Sequence, residues 1–424
     1  MERQYKDSGI EWIGRIPREW KTCKLNYVYK FQTGATPPTN NEKFFDGDYK
    51  WACIADLKSK TIYDTTKKLS LEGVERCSMN ISPIGSLLYS FKLSVGNVAF
   101  CGDNMYTNEA IATFLEGKGY LPYLYYLAPF AIIQNANYNI YGAPILNQEL
   151  IKGATIIVPP LHEQQRIADY LDKKCGEIDS LIELQERMIA QLTEYKQSVI
   201  TEAVTKGLDP NAPLVPSGID WIGDIPKGWK VNKINRLFRM IGSGTTPNSS
   251  DDEAYMGTIN WLQSGDINGG ILTEAKNQIS EAVLSKYAAL SIYRAPFIIV
   301  AMYGASVGNI SISQIDACVN QACCVMSKPR INLSYAFYAM KSAQHYLIFK
   351  AVGGGQPNIS QYTLRQLWIP EPSFSEQQAI ASYLDKKCGE IDDLIAMKQK
   401  KIETLKEYKK SVIYEAVTGK INVA

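Results

Sequence analysis

Histidine is almost missing from this chain: His162 and His345 are its two histidines in 424 residues. So few argue against a histidine-built metal site. Neither stands in the context a Ser-His-Asp triad needs. No charge sign dominates either, with 45 Lys plus Arg against 43 Asp plus Glu and a net charge of +2. That balance excludes a strongly basic chromatin-type protein and an acidic disordered one. Taken whole, it also counts against nucleic-acid binding, which usually shows a basic excess. The nine cysteines form no CxxC pair and their number is odd, which predicts reduced thiols rather than a disulfide framework. No run approaches the ~18 apolar residues that span a bilayer. Met1–Lys6 contains no apolar stretch, so no secretion signal is expected. A cytoplasmic protein without a membrane partner is the expectation.

Catalytic signatures are missing as well. There is no GxxxxGK[ST] phosphate loop: Gly304-Ala305-Ser306-Val307-Gly308 runs into Asn309-Ile310. No GxGxxG opens a helix after a strand, and no HExxH occurs. Thr36-Pro37-Pro38-Thr39 lacks both the polar lead and the aromatic of an amino-methyltransferase tetrapeptide. No catalytic residue and no metal ligand is predicted, and the chain reads as a binding module. A hydrophobic share of 46% is enough for a sizeable core, and the length suggests roughly two to three domains.

What is present is a duplication. Ser8–Lys21 recurs as Ser217–Lys230 with 10 of 14 positions identical. Glu163–Asp179 recurs as Glu376–Asp392 with 15 of 17, and Glu194–Thr205 recurs as Glu407–Thr418 with 10 of 12. The period is far longer than that of a solenoid. Between these blocks the halves diverge, leaving short anchors. Thr33-Gly34-Ala35-Thr36-Pro37 aligns with Ser243-Gly244-Thr245-Thr246-Pro247. Ser94-Val95-Gly96-Asn97 aligns with Ser306-Val307-Gly308-Asn309, and Asn108-Glu109-Ala110 with Asn320-Gln321-Ala322.

Each half ends in a segment with helical periodicity. It starts after Pro159-Pro160 in the first copy and after Pro370 and Pro372 in the second, where prolines suit a helix start. Ile178, Leu181, Met188, Leu192, Tyr195 and Val199 follow an alternating 3,4 spacing interrupted by Gln185. The second copy offers Ile391, Leu394, Leu405, Tyr408 and Val412, interrupted by Lys398 and Lys401 and flanked by Ile395 and Ile402. This is a coiled-coil-like seam, in which Gly176 and Gly389 are expected to bend or break each helix. Unbroken, residues 161–206 would run about 60–70 Å at 1.5 Å per residue. Packing of each helix on its own body is the alternative. A pseudo-twofold relation would set the helices antiparallel between the two bodies.

The bodies mix strand-like runs at 154–158 and 297–300 with helical stretches at 120–134 and 333–350. The fold class expected is α+β, two similar globular domains separated by two long antiparallel coiled-coil helices in an internal pseudo-twofold duplication. The boundaries are 1–160 and 217–373 for the bodies, 161–206 and 374–419 for the helices, and 207–216 for a linker. Residues 161–206 carry nine acids and six bases, net −3, whereas 374–419 are neutral. An excess of +5 is left for the rest. Candidate DNA contacts lie in Gly- and Asn-rich places: Thr33, Gly34, Thr36, Lys92, Asn137, Tyr138 and Tyr141 in the first half. Gly244, Thr245, Thr246, Tyr303, Ser306, Gly354, Gln356 and Asn358 are those of the second. Asn and Gln can read adenine in the groove, and glycine permits close backbone approach. Solvated connectors are the competing reading of these loops. Trp12, Trp20, Trp221 and Trp229 recur with their block and read as packing residues.

Two variable bodies, two near-identical helical repeats and the repeated GIxWIGxIPxxW block resemble the DNA specificity subunit of type I restriction-modification systems. The resemblance covers the whole chain. Its most specific elements are Glu163-Gln164-Gln165 with Ile167-Ala168 and Leu171-Asp172, and Glu376-Gln377-Gln378 with Ile380-Ala381 and Leu384-Asp385. The resemblance implies that each body is a target recognition domain reading one half of a bipartite, asymmetric site on double-stranded DNA. The helices would set the spacer and dock two modification subunits, adenine-N6 methyltransferases using S-adenosylmethionine. Restriction subunits would add translocase and nuclease activity dependent on ATP and Mg2+. This chain would hold no cofactor and catalyse nothing. A non-DNA adaptor presenting two ligand-binding bodies, or a nuclease or methyltransferase with a degenerate motif, are the alternatives.

Overall fold

A computed structural model describes residues 3–248, 250–351 and 357–423. The chain divides into two compact units, residues 1–185 with 400–424 and residues 186–399. The division cuts both long helices mid-way. Each unit therefore holds one globular body, the first part of the helix that follows it, and the last part of the other helix.

In the first unit, a hairpin of Tyr5–Asp7 and Arg15–Pro17 leads into a five-stranded sheet. The sheet order is Phe31–Thr33, Ile111–Phe114, Leu87–Ser90, Val98–Cys101 and Thr61–Ile62, with the last pair parallel. Its two central strands are buried along their whole length, because both faces are covered and alternate residues point to opposite sides. Leu87, Tyr89, Ala112 and Phe114 share a core with Leu124, Leu127 and Ala131 of the helix Leu121–Ala131. Leu88, Ala99 and Ile111 join Ala52, Leu57 and Met105. The β-branched run Thr155–Val158 pairs with Lys21–Lys24 and closes the body just before the long helix.

The second unit repeats this topology: Phe238–Gly242, Cys323–Pro329, Phe297–Ala301, Ile310–Ser313 and Ile271–Leu272. Again the last pair is parallel. The stretch expected as one helix over 333–350 is two, Leu333–Ser342 and Gln344–Phe349. Ser342 turns its hydroxyl onto the Ala339 carbonyl at the break, competing with the backbone ladder. Part of the expected linker is structured too: Leu214–Pro216 pairs with Asp224–Pro226, repeating the hairpin of the first unit.

The long helices run over Leu161–Lys206 and Phe374–Val417. Neither Gly176 nor Gly389 breaks its helix. An interior glycine costs only about 1 kcal/mol, which the packing on either side outweighs. The glycines that do end the helices are Gly207 (φ +75°) and Gly419 (φ +71°), where a left-handed residue closes the last turn.

Within each unit the two helix segments run antiparallel. In the first, Lys409 meets Asp179 while Val412 and Ala416 pack with Leu171 and Cys175. In the second, Lys196 meets Asp392 while Val199 and Ala203 pack with Leu384 and Cys388. The buried seam differs from the expected one at every other position. Ile178, Val199, Ile391, Ile402 and Val412 are buried, and Leu192 and Leu405 are half-buried. Leu181, Met188, Tyr195, Leu394 and Tyr408 are exposed. The inward positions are one residue later, at Ile182, Ile189, Lys196, Ile395 and Lys409. Cys175 and Cys388, both buried, belong to the same seam, one step before Ile178 and Ile391. Gln185, expected as an interruption, is itself buried.

The repeated Glu-Gln-Gln block is the fastening between body and helix. Gln164 donates to the Pro159 carbonyl at 2.8 Å and accepts from the Tyr120 amide at 3.1 Å. Gln377 does the same with Pro372 (2.9 Å) and Asn332 (2.8 Å). The Trp20 indole donates to Glu163, and the Trp229 indole to Glu376, which accounts for the recurrence of these tryptophans as packing residues. The far helix end is held by tyrosine hydroxyls: Tyr123 donates to the Val417 carbonyl and Tyr335 to that of Val204.

Candidate nucleic-acid interface

In each body three loops converge at one end of the five-stranded sheet. The first begins where strand Phe31–Thr33 stops. Ala35 donates its amide to the Thr107 carbonyl at 3.0 Å. At Gly34 a Cβ would lie 1.7 Å from that same carbonyl oxygen, so only glycine fits there. In the second body a Cβ on Gly244 would lie 1.8 Å from the Val319 carbonyl. Both loops are thus pressed onto the strand beside them.

That strand leads into a turn built on asparagine. Asn108 accepts from the Ala110 amide and Asn320 from the Ala322 amide, both at 3.1 Å. These turns present Glu109 and Gln321 to solvent. The Thr36 hydroxyl donates to Glu109, and the Thr246 hydroxyl donates to Gln321 Oε1 at 2.7 Å. Burial opposes ionisation of Glu109. The Thr36 hydroxyl, its own amide and the nearby charge of Lys92 outweigh that and hold its carboxyl below the usual range.

The third loop follows the central strand. Lys92 is exposed, next to Leu93, which has a left-handed backbone (φ +53°) and is 85% exposed. In the second body the Met302 amide donates to the Ala322 carbonyl and the Ile359 amide to the Met302 carbonyl. Tyr303 and Asn358 form a bridge. The structure therefore sets Thr36 and Lys92 beside Glu109, with Thr33 and Gly34 at the start of the loop that carries Thr36, and Thr246 beside Gln321, with Tyr303 and Asn358 on the third loop at the same end of the sheet. Gly244 and Thr245 lie in the same loop as Thr246. Ser306 spends its hydroxyl on the Ser264 carbonyl, fixing a loop rather than offering a free donor. Gly354 and Gln356 lie outside the described residues.

A projecting hairpin completes the first site. Asn137–Tyr138 pairs with Pro144–Ile145, so the stretch read from the sequence as a loop is partly strand. Asn139 Oδ1 accepts from the amides of Tyr141 and Ala143, each at 2.9 Å. The turn presents Tyr138, Ile140 and Tyr141, the last two 90% and 87% exposed. Gln148, three residues past the hairpin, donates to the Thr33 hydroxyl at 3.0 Å and so links the hairpin to the first loop.

Glu109, Gln321, Gln148 and Ile140 were not singled out from the sequence. The alignment of the two Asn-x-Ala triplets was the one signal for the first pair. Among the described residues no group of His, Cys, Asp or Glu could hold a metal ion, and no helix is long and apolar enough to cross a membrane.

Several known proteins are similar to this chain. A specificity subunit of the type I restriction enzyme MjaIX from Methanocaldococcus jannaschii is 24% identical, covering 100% of this chain and 97% of that protein. The EcoBI specificity subunit from Escherichia coli is 22% identical over 80% of this chain and 75% of its own length. Among solved structures, a chain from a study of complex assembly and conformational transition of the type I R-M system superposes with a TM-score of 0.72. It is 17% identical over 96% of this chain and 99% of its own. The HsdS subunit from Thermoanaerobacter tengcongensis gives 0.51, at 17% identity over 96% of this chain and 98% of its own. The family model for the type I restriction modification DNA specificity domain matches residues 17–194 and again 226–407. With two domains matched and both bodies carrying the same three-loop arrangement, this chain belongs to the type I restriction-modification DNA specificity family.

Proposed function

We propose that the chain reads a bipartite, asymmetric site on double-stranded DNA, one half through each body, and that the long helices set the unread spacer. The observation that carries this is one loop architecture built twice, with different side chains on it. Thr36 holds Glu109 where Thr246 holds Gln321, and Lys92 stands where the second body has Gly304. Two surfaces of one design and different chemistry suit two different half-sites. Hydroxyls, amides and Lys92 supply the donors that position a phosphate backbone, and side chains on the turns reach base edges.

The helices support docking of two modification subunits. Leu181, Leu184 and Tyr195 are exposed on the first helix, and their repeats Leu394, Met397 and Tyr408 on the second. An identical partner can use the same stripe twice. S-adenosylmethionine would be bound by those partners, and ATP and Mg2+ by restriction subunits that join them. This chain contributes recognition and no catalysis, in the cytoplasm where the DNA is.

Methylome sequencing of a host with and without this chain tests the proposal. Deletion is expected to abolish one bipartite adenine-methylation motif. An unchanged methylome would overturn it.

A further inference from the structure

The two bodies differ at one outward-facing position that sits on the same turn and is held by the corresponding threonine in both. Glu109 and Gln321 have identical neighbours in sequence, Asn before and Ala after. Each sits on an asparagine-fixed turn, is exposed, and is anchored on one side by a threonine from the glycine-pinned loop. The backbone there is over-determined, so the scaffold presents one side chain at a set height, and only its terminal group varies. A threonine anchor removes rotamer freedom before any ligand arrives, which lowers the ordering cost of a contact.

The terminal groups have different hydrogen-bonding capacity. An ionised carboxylate only accepts, whereas an amide both accepts and donates. On a DNA-facing surface a carboxylate finds no donor on the phosphates. The donors it can meet are the exocyclic amino groups of bases. In the major groove, glutamate accepts from cytosine N4, while glutamine matches adenine N6 and N7 together. Thr36 bonds Glu109 Oε2, and a carboxylate with two oxygens and about four lone-pair sites keeps further acceptor capacity. Thr246 occupies one lone pair of Gln321 Oε1 and leaves the amide NH2 to donate.

We infer that Glu109 and Gln321 are matched base-reading positions, Glu109 selecting cytosine in one half-site and Gln321 selecting adenine in the other. The inference rests on the DNA-reading function proposed above. Lys92, beside Glu109, offsets the repulsion between that carboxylate and the phosphates. A good base contact of this kind discriminates by about tenfold to a hundredfold.

The test uses the full chain assembled with its modification subunits and DNA duplexes randomised one position at a time across the wild-type motif. A wild-type complex with no bipartite motif would defeat the proposed function and not this assignment in particular. Given such a motif, Glu109→Gln is expected to shift one position of one half-site from cytosine to adenine by about tenfold or more. The other half-site stays unchanged. Gln321→Glu makes the reverse shift in the other half. Unaltered base preference in both variants would overturn the assignment. So would uniform weakening on every sequence with an unchanged melting temperature, which marks a backbone-positioning residue. A first half-site composed only of A·T pairs would overturn it as well. If Glu109→Gln does not fold, Gln321→Glu decides by the same criteria.

Discussion

Lys409 donates to both carboxylate oxygens of Asp179 at 2.7 Å. The same pair recurs as Lys196 and Asp392 at 2.6 Å in the other unit. Asp179 and Lys196 lie on one helix and Asp392 and Lys409 on the other, so each repeat's pair is completed by the other repeat. These are half-exposed ion pairs, each worth about 0.5–1 kcal/mol. Asp179→Lys is expected to destabilise the protein by about 1 kcal/mol, and adding Lys409→Asp to recover much of that. Denaturant midpoints of the single and double variants measure the coupling, which should shrink in high salt. Additive losses would show that the pair is incidental.

The glutamine fastening makes a stronger claim. Gln377 is buried and uses both ends of its amide, on Pro372 and Asn332. Gln377→Ala leaves the buried Pro372 carbonyl and the partly buried Asn332 amide without this partner, at a cost of about 1–3 kcal/mol. Urea unfolding should show that loss, and Gln164→Ala should show a similar one. A loss under about 0.3 kcal/mol at both positions would contradict the role given to this block.

Acid should weaken the junction at the second helix. The Ser373 hydroxyl hydrogen bond, together with the Trp229 indole, holds the Glu376 carboxyl below the ordinary glutamate range. A depressed folded value means that this contribution is present above the unfolded value, about 4.3. It is lost as pH falls through the lower folded value. Melting temperature followed from pH 7 to pH 3 should fall at the acid end, and Glu376→Gln should flatten that fall. Parallel curves for the two proteins would exclude the contribution.

A chain cut to residues 1–206 is expected to dimerise. Its body needs a partner segment like 400–417, and 194–205 is nearly the same sequence, with Lys196 placed to meet Asp179 of a second copy. Light scattering should give twice the chain mass, and the dimer should read one half-site twice in inverted order. A folded monomer at micromolar concentration would count against the exchange of helix segments.

How much of this could be read without coordinates depends on where each residue's partner lies. Helix ends, the duplication and the glycine-pinned loops were legible because they depend on local chemistry and on repeats. Ile178, Leu192 and Val199 follow from periodicity, but the alternate seam position slipped by one. Leu181 and Met188 are as apolar as Ile182 and Ile189, so hydrophobicity could not choose between them. Lys196 and Lys409 face the seam because an aspartate of the other copy awaits each, a fact no single period contains. Glu109 and Gln321 were hidden for a related reason: their anchors, Thr36 and Thr246, are more than 70 residues away.

The Tyr123 hydroxyl waits for the carbonyl of Val417, 294 residues downstream. On the ribosome the first body is complete in sequence by Val158, but its last packing partners emerge tens of seconds later, at about 5–20 residues per second. Until then the edge formed by Ile167, Leu171 and Cys175 lacks the cover of Val412 and Ala416. The second body meets its borrowed segment, 186–206, before its own strands are made. Translation thus imposes an asymmetry that the duplicated sequence does not have: the half made first is the half finished last.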